Sequence, residues 1–216
     1  RDVEQLRLWR REHLADFPPR MTSTIYLSTF AVLPSGEAPD VSFVPPLVRR
    51  RLSPLQKIYF ALAHAAETTP VASSVFATRD GEYAFTRRIV TAFNEDGSVS
   101  PHLFSASVYN AAPGLWSVFT KNRAPYTSIA ADADTIECGL LESLKGRTST
   151  LFVYAEETNG GYGAAVLFSC TAGTRRLVVS AGDASRPPLT FQALSDFLSG
   201  ASHRLAGRWV TLCDGE

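Results

Sequence analysis

The side chains able to attack a carbon or carry a proton are few and scattered. Three cysteines (Cys138, Cys170, Cys213) and four histidines (His13, His64, His102, His203) are spread over 216 residues. A thiol becomes a nucleophile most readily at a helix N-terminus, where unpaired N–H groups lower its pKa. One stretch has the layout for presenting such a group. "SVYNAAPGLWSVFTKNRAPYTSIAADADT" (107–135) passes Asn110, crosses an apolar helical segment and Pro125, and runs through a short strand into a small-residue turn. That turn holds Ala131, Asp132, Ala133 and Asp134, with no thiol or hydroxyl. Cys138 follows more than a turn inside the next helix, rotated away, and reads as a buried, unactivated thiol. The cysteines form no Cys-x-x-Cys pair, so neither a zinc site nor a disulfide framework is expected. No Gly-x-Ser-x-Gly elbow is present, and "GGYGAA" precedes a strand and not a helix, so it is a poor phosphate cradle. No metal and no cofactor is expected.

The elements that must position this turn are legible from period and punctuation. Ser23 to Leu33 reads as a buried strand, and Pro34 to Asp40 as a loop. Ser53 caps a helix with Pro54 at its first position and an apolar stripe of Leu55, Ile58, Tyr59, Leu62 and Ala66. A second strand, Ser74 to Thr78, precedes a helix with Phe85, Ile89, Val90 and Phe93 on one side. One helix is expected over Ser105 to Thr120, a third strand over Tyr126 to Ala130, and a helix from Thr135 to Leu144, stopped at Lys145-Gly146. "TSTLFVYAEE" is a fourth strand. "GYGAAVLFSC" and "RRLVVSAG" follow, close enough to pair as a hairpin, and Leu189 to Leu198 is a last helix. Alternating strands and helices argue α/β: a mixed, mainly parallel sheet, helices on both faces, and an antiparallel C-terminal hairpin.

Bulk properties exclude some classes. Lys plus Arg equals Asp plus Glu, 21 each, so no charge excess points to nucleic acid. No stretch is long and apolar enough to span a bilayer, and cysteine usage fits a reducing, cytoplasmic setting. The run Arg49-Arg50-Arg51 is either a solvated helix start or a contact for an acidic partner. Residues 1–20, polar and basic, are expected to be an extension or upstream sequence read through, with one domain over 21–216.

Several segments together resemble the N-terminal half of a β-ketoacyl synthase. Asn110, Ala111, Ala112 and Gly114 match that family's Asn-containing helix, and Pro125 the proline before its nucleophile strand. "LFVYAEE", ending at Glu156-Glu157, resembles the strand that ends in Gly-Gly-x-Glu, although the two glycines are absent. "GYGAAVLF" resembles the Gly-x-Gly-Ala-x-x-Leu strand. "PPLVRRRLSPLQK", "SSVFATRDGEY" and "FSASVYNAAPGLWSV" are similar to the short, chain-length-factor-like members found with aryl-polyene, type II fatty-acid and polyketide pathways.

The resemblance implies a thiolase-like half-fold. It puts the nucleophile position at Ala133, leaving that position vacant, and finds no match for the decarboxylating histidines, whose half of the enzyme is expected to be missing. It implies a non-catalytic partner that forms a heterodimer with a β-ketoacyl-ACP synthase and meets acyl carrier protein indirectly. Asn110, Gly114 and Pro125 fall at the implied interface. Val108, Trp116 and Phe119 are candidates for an acyl tunnel, or else plain core. Two other readings stay open: an acyl-thioester-processing enzyme with an unrecognised nucleophile, and a self-pairing acyl-binding scaffold.

Overall fold

A computed structural model describes residues 23–67, 69–145 and 148–215. The extension expected over residues 1–20, His13, and the glycine stop at Gly146 lie outside the described residues. Eight strands form one sheet: β1 (Ser23–Leu33), β2 (Ser73–Ala77), β3 (Tyr126–Ile129), β4 (Thr150–Glu156), β5 (Tyr162–Ser169), β6 (Arg175–Ala181), β7 (Arg204–Ala206) and β8 (Val210–Asp214). Their spatial order is β3-β2-β4-β5-β1-β6-β8-β7. The helices are α1 (Pro46–Arg49), α2 (Pro54–Ala66), α3 (Tyr83–Asp96), α4 (Pro101–Ala106), α5 (Ala111–Thr120), α6 (Thr135–Lys145) and α7 (Phe191–Ser199).

The α/β assignment holds, with helices on both faces. Along β4 the side chains alternate: Leu151, Val153 and Ala155 join the core under α2 and α5, while Phe152 and Tyr154 join the core under α6 and α7. Gly139 lets α6 lie close on the sheet, because a Cβ there would come within 2.6 Å of the Phe152 ring. At the start of α2, Ser53 and Gln56 form a reciprocal capping box, and the expected stripe is buried.

Three expectations need correction. The sheet is not mainly parallel: β2 pairs in parallel with β3 and β4, and the remaining pairings among the described residues are antiparallel. Helical crossovers, which parallel pairing requires, occur only across β2, β3 and β4. Second, β5 and β6 do not pair as a hairpin. Strand β1 lies between them, with Val32 opposite Ala164 on one side and Ile25 opposite Leu177 on the other. The short link between them crosses β1, tied by Thr174 Oγ1 donating to Leu27 O at 3.0 Å. It crosses so closely that a Cβ on Gly173 would sit 2.6 Å from Leu27 O. The hairpin at the C-terminal side is instead β7–β8.

Third, the helix expected over Ser105–Thr120 is two helices, α4 and α5, separated at 107–110. Pro113 explains the break. In a continuous helix its ring would clash with the carbonyl of Tyr109, so the helix restarts with Pro113 in its first turn. The Tyr109 side chain anchors the intervening turn by donating its O–H to Arg79 O at 3.2 Å.

Candidate functional site

Strand β3 delivers the chain to the turn where a nucleophile would stand. Asp132 has φ +48°, a left-handed conformation that costs a non-glycine residue about 1 kcal/mol or more. Asp132–Asp134 then form one 3₁₀ turn leading into α6. Thr135 Oγ1 secures it, accepting from Ala131 N at 2.9 Å and donating to Asp132 O at 2.8 Å. Ala133 is exposed and presents only a methyl group.

The turn between β7 and β8 clamps the next residues. Asp134 pairs with Arg208 at 3.3 Å. Glu137, fully buried, accepts from Val210 N at 3.0 Å and from Trp209 N through the same Oε1. Gly207 has no room for a side chain, since a Cβ would collide with the Glu137 carboxylate. Sequence reasoning passed over this clamp because its members are about seventy positions apart and none is a motif residue.

Cys138 is half-buried rather than buried. The described histidines lie elsewhere. His64, on α2, stacks on Phe43 with ring centroids 3.8 Å apart. His203 pairs with Asp214 at 2.7 Å, and His102 lies at the groove described below.

A second network sits where β2 and β4 end. Glu156 accepts from Thr78 Oγ1 at 3.1 Å and from the backbone of Arg79 and Asp80. Glu157 accepts from Leu55 N at 3.2 Å and from Ala84 N, so it tethers the starts of α2 and α3 together. Burial pushes both carboxyls above their ordinary range, against the pull of those N–H donors. Burial also pushes Glu82 up, to about 7; the hydroxyl of Ser53 and the amide of Gln56 oppose this, and Glu157 adds to it. Gln56 Nε2 donates to Glu82 Oε1 at 2.7 Å. The pair Glu156-Glu157, singled out in sequence as the end of a motif, is thus a structural brace.

An apolar groove of about 500 Å³ opens between α1, the first turn of α2 and the α4–α5 turn. Leu47, Val48 and Leu52 line one wall, and Val108, Ala111 and Leu115 the other. Arg51, Gln56, His102 and Asn110 are among its polar members. Three sequence-selected residues therefore meet here: Val108, Asn110 and Gly114. Trp116 and Phe119 do not. They pack in the core with Phe60, at 5.1 and 5.6 Å between centroids, and Trp116 Nε1 donates to Glu67 Oε2 at 2.7 Å. Pro125 is exposed at the start of β3, its carbonyl accepting from Ser74 N at 3.0 Å. Gln56 was missed as a site residue, although the Ser53-x-x-Gln56 capping box was there to be read.

Residues 28–185 match the model of the family described as β-ketoacyl synthase, N-terminal domain. A comparison with curated proteins returned no match. Among solved structures, the chain resembles one in "Ketosynthase (ApeO) in Complex with its Chain Length Factor (ApeC)" from Xenorhabdus doucetiae, with TM-score 0.72, 19% identity, 91% of this chain and 100% of that one covered. It also resembles a chain of the type II polyketide AntDE:AntF complex of an acyl carrier protein with its ketosynthase, with TM-score 0.57 and 9% identity over 69% of this chain and 63% of that one. For the ishigamide ketosynthase/chain length factor the TM-score is 0.56, with 11% identity over 73% and 66%. The present chain thus spans under two thirds of those last two chains. At these identities the structures show a shared fold, and the sequence match shows the lineage: this chain belongs to the β-ketoacyl synthase N-terminal domain family.

Proposed function

We propose that the chain is a non-catalytic, chain-length-factor-like subunit that pairs with a β-ketoacyl-ACP synthase in type II fatty-acid, aryl-polyene or polyketide synthesis. It shapes the partner's acyl cavity and meets acyl carrier protein only through that partner, in the cytoplasm. The observation that carries this reading is a set of unpartnered apolar side chains in the segment that leads to the vacant turn. Of thirteen large apolar side chains exposed among the described residues, ten lie between Tyr83 and Tyr126. Helix α3 buries no residue at all. Its Val90 and Phe93, with Phe104 on α4 and Val118 on α5, are each more than half exposed. A monomer rarely leaves so many large apolar side chains of one segment in water.

Helix α5 presents Ala111, Gly114, Leu115 and Val118 at i, i+3, i+4 and i+7, one continuous stripe whose small members permit close helix approach. Beside it, β3 is an edge of the sheet, with Tyr126 exposed. Sequence resemblance assigned Asn110, Gly114 and Pro125 to an interface, and they border this stripe and edge. The groove opens onto the same face through Ala111, Gly114 and Leu115, so an occupant would sit between the two subunits, with Val108 in its wall. The Xenorhabdus doucetiae structure, a ketosynthase in complex with its chain length factor, supports the pairing, and this chain spans the matched chain in full.

The test is co-expression with a β-ketoacyl-ACP synthase, followed by gel filtration. The expected result is a one-to-one complex. A stable homodimer that ignores the synthase, or no association at micromolar concentration, overturns the reading.

A further inference from the structure

We infer that the groove binds a single-chain carboxylate, with its aliphatic tail along the apolar walls and its free carboxylate at the mouth against Arg51. The inference rests on the groove of this chain alone and not on pairing with a synthase. The chain as a whole is neutral, with 21 basic and 21 acidic side chains. The groove departs from that balance. Its titratable members are Arg51 and His102, and no Asp or Glu among the described residues lines it. Arg49 and Arg50 precede Arg51 and add to the positive field at that end. Glu82, which accepts from Gln56 Nε2, is 2% exposed and stands behind the wall, not in it.

The backbone of Arg51 is held at the groove. Its N–H donates to Val48 O at 2.9 Å, and the next residue, Leu52, packs into the core under α2. The Arg51 side chain is exposed and lines the groove. No ion pair or side-chain hydrogen bond among the described residues engages its guanidinium or the His102 ring. A guanidinium offers a carboxylate two parallel N–H bonds in one plane, and one such fork matches one carboxylate. Beside it, Leu52, Val108 and Leu115 offer a tail the gain of leaving water. An alcohol of the same length keeps only the second gain, and an alkylammonium meets like charge. The volume of about 500 Å³ lies within the range of small-ligand sites, about 300–1,000 Å³.

The experiment is isothermal titration calorimetry of the full-length chain with decanoate, decanol and decyltrimethylammonium, each below its micelle concentration. Decanoate is expected to bind about tenfold more tightly than decanol, and the cation more weakly than either. Arg51→Met, which keeps an apolar stem and removes the charge, should bring decanoate close to the affinity of decanol and leave decanol unchanged. Leu115→Asn, which makes one wall polar, should weaken both and leave their ratio as it was. Equal affinity for acid and alcohol, or no binding at all, overturns the inference. So does an acid preference that survives Arg51→Met, or binding that Leu115→Asn leaves untouched, since the ligand then sits elsewhere. In each of these cases the pairing with a synthase stands, because gel filtration of the co-expressed proteins tests it separately.

Discussion

The two flanks of the sheet are finished in opposite ways. On the β6–β8–β7 flank the chain answers its own demands. Helix α7 and strands β7 and β8 supply Leu194, Phe197, Leu205, Val210 and Leu212 to the core, and Glu137 takes two N–H groups from the strand that follows Gly207. Arg175 closes the end of α7, donating to Phe197 O at 2.5 Å while its guanidinium lies 4.4 Å from the Phe197 ring. On the β3 flank the chain leaves demands open: an edge strand, a helix with no buried residue, and a stripe of apolar side chains in water. The first flank is closed by residues that all help to hold the monomer together. The second is free to be specialised for association, because few of its outward side chains help hold the monomer together.

That contrast can be broken most forcefully at Gly207. Gly207→Ala would drive the Glu137 carboxylate off its two N–H partners, so unfolding in urea should show a loss of about 3 kcal/mol. Wild-type stability in that variant would mean the clamp is loose and the closed flank is not closed.

The seam between the flanks is tested through Glu82. Its folded pKa, about 7, lies above the ordinary 4.5. The folded state therefore holds the proton more tightly than the unfolded state. Stability from this group is present below pH 4.5 and lost as pH rises through 7, by about 3 kcal/mol in all. Glu156 and Glu157 shift in the same direction. Glu82→Gln should flatten the decline between pH 5 and pH 8 in a denaturation series; an unchanged slope would show that the carboxyl is hydrated in solution.

On the open flank, Val118→Asp should weaken binding to the synthase by about 100-fold, as for a buried hot spot, while shifting monomer stability by under about 0.5 kcal/mol. The reverse pattern, unchanged affinity with a destabilised monomer, would place the interface elsewhere. The smallest effect is expected from Ala133→Cys. Asp132 beside it opposes a thiolate, so condensation by the isolated chain should stay at background and alkylation of the new thiol should be slow. Turnover in that variant, or thioester cleavage by the wild type that Cys138→Ser abolishes, would return the chain to the enzymes.

Much of the fold was legible because it is local. Strand β1 matched its expected bounds of Ser23 to Leu33, and α2 announced its start through Ser53, Pro54 and the stripe behind them. Partner strands were not legible. Cys170 to Thr174 looks like a hairpin link because nothing in those residues says that β1, far earlier in the chain, will lie between β5 and β6. The break at Ser107–Asn110 was readable in Pro113 and was overridden by the apolar run on either side. Trp116 and Phe119 carried the bulk expected of a tunnel wall, but bulk does not say which way a helix faces, and they face the core.

The sequence by itself determined what chemistry is absent at the turn, since Ala133 has no atom to attack with whatever surrounds it, and it determined where most helices and strands begin, since caps, prolines and apolar period act within a turn or two. Only the tertiary structure decided which apolar residues are core and which are surface. Val90, Phe93 and Val118 are as hydrophobic as Leu55 and Leu62, and they differ only in whether another element arrives to cover them. The same holds for Gln56, whose amide becomes a fixed donor only because Ser53 and Glu82, one local and one far along the chain, hold its two ends at once.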